Sequence, residues 1–143
     1  MGKPKVGTAR DGGMMHYSAG ALIKKGEKYL MLDRNSPPFG YAAPAGHVDE
    51  GEDPKTAVYR EVKEETGYDL QDATLLYEEE VHNNACSKGV SVHYWYVFEG
   101  TVEGDPHPNE RETKTMGWCT PTEIKKLRLE PVWEYWLKKK KIL

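Results

Sequence analysis

Three glutamates, Glu61, Glu64 and Glu65, lie close together in the stretch GHVDEGEDPKTAVYREVKEETGY, which runs from Gly46 to Tyr68. On a helix, positions i, i+3 and i+4 share a face, so the three carboxylates would crowd one side. Like charges at that spacing repel by about 0.2–0.5 kcal/mol per pair. A helix built for stability alone avoids such an arrangement. A divalent cation reverses the sign, because hard Mg2+ or Mn2+ takes oxygen ligands, usually a few carboxylates with water and substrate phosphate. The competing explanation is a solvated acidic face, with Arg60 and Lys63 as its partners.

The flanking residues say how such a face is positioned. Asp53 suits a helix N-cap and Pro54 the first helical position. Gly67 suits the left-handed residue that ends a helix, and Lys55 to Thr66 contain no Gly or Pro. Val58 and Val62 form an apolar stripe that can pack the helix down and leave the acids in a cleft. Upstream, YSAGALI and KYLMLDR read as two strands joined by the turn KKGE. The segment from Arg34 to Gly40 is a loop, since Pro37 and Pro38 cannot join a ladder. Downstream, Ala73 to Val81 is an expected strand and His82 to Gly89 a polar loop. Val90 to Phe98, β-branched and aromatic throughout, predicts a central strand buried on both faces. A loop from Thr101 to Arg111 leads to a short strand over Thr113 to Cys119. Thr120, Pro121 and Glu123 form a helix start with a capping box, and a last helix is expected from Pro131 to about Lys141. Residues 1–14, rich in Gly, Lys and Pro, read as a flexible leader before a single domain over 15–143. Strands on either side of one long helix, with a second helix at the end, predict an α/β fold with a mixed sheet covered on both faces.

The whole acidic stretch resembles the Nudix box, G-x5-E-x7-R-E-U-x-E-E-x-G-U, where U is a bulky apolar residue. Gly46, Glu52, Arg60, Glu61, Val62, Glu64, Glu65 and Gly67 fill its fixed positions, with Tyr68 at the last. The resemblance implies an α/β/α sandwich and hydrolysis of a nucleoside diphosphate linked to another group, with Mg2+ or Mn2+ as cofactor. By the same resemblance Glu61, Glu64 and Glu65 are metal ligands, and the Gly46 carbonyl is an additional one. Arg60 and Glu52 support them. A further acid is expected from the loop before the strand that holds Trp118: Glu112 first, Glu110 second, with Asp105 in the same loop. The role of base falls to Glu61 or to a downstream acid. The MutT-like nucleoside triphosphate group is the nearest match in size, which implies cleavage of a (d)NTP to NMP and pyrophosphate. ADP-ribose and dinucleoside polyphosphates are the alternatives. A non-catalytic nucleotide-binding module is disfavoured because every box glutamate is present, and an RNA-end-processing enzyme would call for a basic groove.

Other side chains are candidates for substrate contact. Arg34 could meet a phosphate, and Tyr41, Trp95 or Trp118 could stack on a base, although such rings more often serve the core. His82, Asn83 and Asn84 suit either substrate contact or a turn. His47 reads as a surface histidine. His16 and His93 fall in strands, with His93 facing away from Tyr94 and Tyr96, where it lines the cleft or caps a core face.

Length and composition bound these readings. At 143 residues with a net charge of −3, the chain suits one domain with a real core and carries no broad basic field for nucleic acid. The lysines from Lys138 to Lys141 suit a helix C-terminus. No apolar run approaches the roughly 18 residues of a membrane span, and Lys3 and Lys5 are followed by no signal-like apolar segment. Cys86 and Cys119 form neither a disulfide framework nor a zinc pattern. Free thiols in a cytoplasmic protein, with a small-molecule nucleotide as partner and a monomer or homodimer as assembly, are the expectation.

Overall fold

The computed structural model describes residues 2–82 and 90–143. The readings placed on Asn83, Asn84 and Cys86 lie outside them. A mixed eight-stranded sheet is formed by β1 (Val6–Thr8), β2 (Met14–Lys25), β3 (Lys28–Arg34), β4 (Tyr41–Ala42), β5 (Ala45–His47), β6 (Asp69–Val81), β7 (His93–Glu103) and β8 (Thr113–Cys119). The helices are α1 (Pro54–Thr66), α2 (Pro121–Ile124) and α3 (Pro131–Lys139). Strands β4, β3, β2, β7 and β6 follow one another, with β1 and β5 also paired to β2, and β8 to β3. The β2–β7 pair is parallel, from His16↔His93 to Ile23↔Gly100.

Side-chain alternation along these strands divides the core into two layers. Ala19, Ala21 and Ile23 of β2, with Leu30 of β3 and Phe98 of β7, pack with Val58 and Val62 of α1. Leu22, Met31, Trp95 and Val97 point the other way, to Ile124 of α2 and to Trp133, Trp136 and Leu137 of α3. The expected α/β sandwich is the observed fold.

Local chemistry explains α1. The Asp53 side chain accepts from the Thr56 N–H at 2.8 Å, a cap worth about 1 kcal/mol. Gly67 closes the helix at φ 80°, its N–H donating to the Lys63 carbonyl. Val58 and Val62 are fully buried, each worth about 1.5–3 kcal/mol.

Several boundaries differ from expectation. Within the segment expected as a flexible leader, Val6–Thr8 pairs with Met14–His16, the Lys5 N–H donates to the Val48 carbonyl, and the Glu50 N–H donates to the Lys3 carbonyl. The Gly12-Gly13 pair makes the turn of that hairpin, with Gly12 at φ 89°. Strand β6 starts at Asp69 rather than Ala73, and β7 runs on to Glu103, because the two form one ladder whose far end pairs Asp69 with Glu103. Strand β7 is central, yet Tyr94 and Tyr96 on one face stay half-buried while His93, Trp95 and Val97 are buried. Helix α3 ends at Lys139, and Lys141 takes a left-handed φ of 64° that turns Ile142 back to donate to the Leu137 carbonyl.

Candidate active site

Helix α1 points its acids into a cleft of about 590 Å3 between the sheet, the box loop and the start of α3. Glu65 is seven residues after Val58 and three after Val62, so it falls on the stripe that packs the helix down, and it is buried. Its Oε1 accepts from the Ala45 N–H at 2.7 Å. Burial pushes the Glu65 carboxyl well above the usual range; the Glu61 and Glu112 charges push the same way, while the Ala45 N–H and Arg34 oppose them. Glu61 is pushed up to about 7, chiefly by burial, with Arg60 opposing and Glu64 and Glu112 adding to the rise. Glu64 stands at the rim with its side chain 50% exposed.

Arg60 ties this face to the box loop. Its Nε and Nη2 donate to the two oxygens of Glu52 at 2.8 and 2.9 Å. Its Nη1 donates to Glu61 at 2.7 Å and to Glu64 at 3.2 Å, and Nη2 also donates to the His47 carbonyl at 2.9 Å. Such a bidentate fork fixes orientation as well as charge. The hydrogen bond from Arg60 holds the Glu52 carboxyl below its ordinary range, and Glu52 in turn accepts from the Asp49 N–H at 3.0 Å. Gly46, paired with Ala19, allows the closest approach: a Cβ there would lie 2.1 Å from the Glu61 carboxylate.

The downstream loop brings the fourth acid. The Asn109 N–H donates to the Glu65 carbonyl, the His107 N–H to the Thr66 carbonyl, and the Glu112 N–H to the Asn109 carbonyl. Glu112 therefore lines the cleft, whereas Glu110 and Asp105 of the same loop do not. Arg34 and Trp95 line the cleft as well. Tyr41 and Trp118 do not: Tyr41 pairs with Asp33 and reaches toward Thr115, and Trp118 packs against Tyr68 beneath Lys25. The alternation of β8 sends Trp118 to the α1 layer, which a ring count in the sequence does not disclose.

The cleft also holds residues that sequence reasoning passed over or read differently. Glu130 is buried at the start of α3, its carboxyl pushed up to about 7 by burial against the opposing Arg34. Arg34 Nε and Glu130 Oε2 stand 3.7 Å apart, too far for a hydrogen bond, and neither atom has another protein partner among the described residues. Trp133 packs edge-on to Trp95 at 5.6 Å. His47 is half-buried in the cleft wall rather than a plain surface histidine, and His93 is beside it. Nothing in the local sequence marks Glu130; its place follows from the chain path of α3.

The sequence matches the NUDIX domain over residues 14–139. The chain is a member of the Nudix family. It is a hydrolase of pyrophosphate bonds, as members of that family are. The asymmetrical bis(5'-nucleosyl)-tetraphosphatase of Caenorhabditis elegans is 38% identical over 96 residues, covering 64% of this chain and 67% of that protein. Nudix hydrolase 26, chloroplastic, of Arabidopsis thaliana is 42% identical over 57 residues, covering 40% of this chain and 26% of its own length. Among solved structures, a MutT NUDIX hydrolase from Burkholderia pseudomallei superposes with a TM-score of 0.76 at 24% identity, over 87% of this chain and 96% of that one. A C. elegans Ap4A hydrolase binary complex does so with a TM-score of 0.57 at 26% identity, over 76% and 83%.

Nudix hydrolases generally use a divalent metal. The donor set here fits one. Two carboxyls, the half-buried Glu61 and the buried Glu65, are raised by desolvation and by their acidic neighbours. Glu64 and Glu112 face the same cleft, and the Gly46 backbone lies against Glu61. Concentrated oxygen ligands, whose charge Arg60 and Arg34 offset only in part, suit a hard cation.

Proposed function

We propose that this Nudix hydrolase is Mg2+-dependent and cleaves a nucleoside triphosphate, (d)NTP, to NMP and pyrophosphate. The carrying observation is the convergence of Glu61, Glu64, Glu65 and Glu112 on one cleft that is large enough for a small molecule. Glu61, Glu64 and Glu65, with the Gly46 carbonyl and Glu112, would hold Mg2+ or Mn2+. When bound, such an ion supplies Lewis-acid polarisation of a phosphoryl oxygen and neutralises charge in the displacement. Arg60 and Glu52 hold the acids in register through the fork described above. Glu61 or Glu112 orients the attacking water. Arg34 offers its unsatisfied Nε to the anionic or polar end of the substrate, and Trp95 and Trp133 form an aromatic wall beside it. Phosphoryl transfer depends mainly on such positioning and electrostatic stabilisation. Tyr41 and Trp118, outside the cleft, are not part of this reading. Among the described residues Cys119 is a half-buried free thiol, which fits a reducing compartment such as the cytoplasm.

A second reading, asymmetric cleavage of a dinucleoside polyphosphate, is favoured by the 38% identity to the C. elegans tetraphosphatase. A panel of (d)NTPs, diadenosine tetraphosphate and ADP-ribose with Mg2+ or Mn2+, read by nucleotide and pyrophosphate release, decides between them. NMP and pyrophosphate from a (d)NTP sustain the first reading; ATP and AMP from diadenosine tetraphosphate sustain the second. ADP-ribose cleavage alone rejects both, and no cleavage of any nucleotide moves the chain to a binding role.

A further inference from the structure

Three of the five histidines, His16, His47 and His93, meet where β2, β5 and β7 pair. His16 and His93 are register partners in the parallel β2–β7 pair. His47 is opposite Ser18, two residues further along β2 and so on the same face as His16. The ring centroids are 5.0, 5.7 and 5.9 Å apart, and one nitrogen from each ring lies within 4.8 Å of the others. His16 and His93 are buried and His47 is half-buried. His47 and His93 line the main cleft, while His16 lines a second cavity beneath the N-terminal strand.

We infer that these three imidazoles form a second metal site, one for a nitrogen-preferring divalent cation of the Zn2+ class, distinct from the carboxylate cage on α1. Neutral imidazole suits Zn2+, Co2+, Ni2+ and Cu2+, whereas Mg2+ and Mn2+ prefer carboxylate oxygen. Three imidazoles with a fourth position open is an arrangement that zinc accepts. Tetrahedral Zn–N bonds of about 2.0–2.1 Å put the ligand nitrogens roughly 3.4 Å apart. From a spread of at most 4.8 Å, each pair then closes by no more than about 1.4 Å, a change within the reach of side-chain torsions. Because two of the rings line the cleft, the fourth position is reached from it and takes water or an anionic group held there. The site stands whether the enzyme cleaves a (d)NTP or a dinucleotide.

The test uses the full chain without a polyhistidine tag, stripped by chelation. Titration with Co2+ should give one equivalent with tetrahedral d–d bands, displaced by Zn2+ but not by excess Mg2+. The bands should persist in Glu64→Gln and weaken in His47→Gln, with affinity reduced at least about tenfold. His47 is the first choice because it is half-buried, and circular dichroism checks its fold. Since substitutions at His16 or His93 could unfold the chain, the wild type supplies an independent readout. On Zn2+ addition the side-chain 15N resonances of His16, His47 and His93 should shift while those of His82 and His107 stay. Absence of both the bands and the shifts overturns the inference. So does a band that survives His47→Gln and disappears in Glu64→Gln, which would place the ion at the carboxylates.

Discussion

Replacing Glu61 by Gln should stabilise the metal-free protein at neutral pH. The Gln side chain keeps the shape of Glu61 and an oxygen for Arg60 Nη1, which donates to Glu61 at 2.7 Å. It removes a half-buried negative charge. The Glu61 carboxyl is raised from 4.5 to about 7, a rise that corresponds to roughly 3 kcal/mol. A raised acid is at no disadvantage below its unfolded value, and its contribution is lost as pH climbs through its folded value. Wild type and Glu61→Gln should therefore unfold alike near pH 4.5 and diverge up to about pH 7, the variant gaining up to roughly 3 kcal/mol. At about 2–4 °C per kcal/mol, Tm should rise by roughly 6–12 °C at pH 8. Urea unfolding in chelator from pH 4.5 to 8 measures this, and the difference between the two proteins cancels the titration of other groups. Adding Mg2+ at 100 times Kd should nearly cancel this difference, since only the wild type gains the full binding free energy, about 2.7 kcal/mol. A flat difference across pH, or a variant less stable than wild type at pH 8 without metal, would refute the buried-charge reasoning.

Four further outcomes follow from the same geometry. Glu64→Gln, at the rim, should keep the wild-type Tm and lose turnover by at least the roughly 10–100-fold seen when support around a metal is removed, as read in a Mg2+-dependent hydrolysis assay. Gly46→Ala sets a Cβ 2.1 Å from the Glu61 carboxylate, which must retreat; chemical unfolding should show a loss of about 1–3 kcal/mol together with weaker metal binding by calorimetry. Arg60→Lys keeps the charge but not the fork to Glu52, so metal affinity should fall roughly 10–100-fold, and a variant with wild-type affinity would show that the fork is dispensable. Tyr41→Phe and Trp118→Leu should leave KM unchanged in steady-state kinetics, because neither ring lines the cleft.

The sequence disclosed what is written locally. Asp53, Pro54 and Gly67 bound α1 because capping needs only neighbouring residues, and the spacing of Glu61, Glu64 and Glu65 put three acids near one face. The strand–helix order disclosed the layers. What escaped depends on long-range placement. Residues 1–14 look loose by composition, yet Val6–Thr8 finds a free edge on β2. Glu130 and Trp133 enter the cleft only because α3 crosses the sheet, and the histidines at 16, 47 and 93 are joined by strand register across 77 residues of chain. Trp118 packs toward the α1 layer, a face that alternation assigns only once the register is known.

Helix α1 ends on a loop that also carries part of the site. The last carbonyls of a helix need outside donors, and here the amides of His107 and Asn109 serve Thr66 and Glu65. The turn that holds Glu112 is anchored by those same bonds. Fraying of one helical turn would thus detach an acid from the opposite wall of the cleft, so that the cage opens as a unit. The exchange rates of two backbone amides, at His107 and Asn109, become a direct gauge of how often the enzyme is assembled, and bound metal should slow both together.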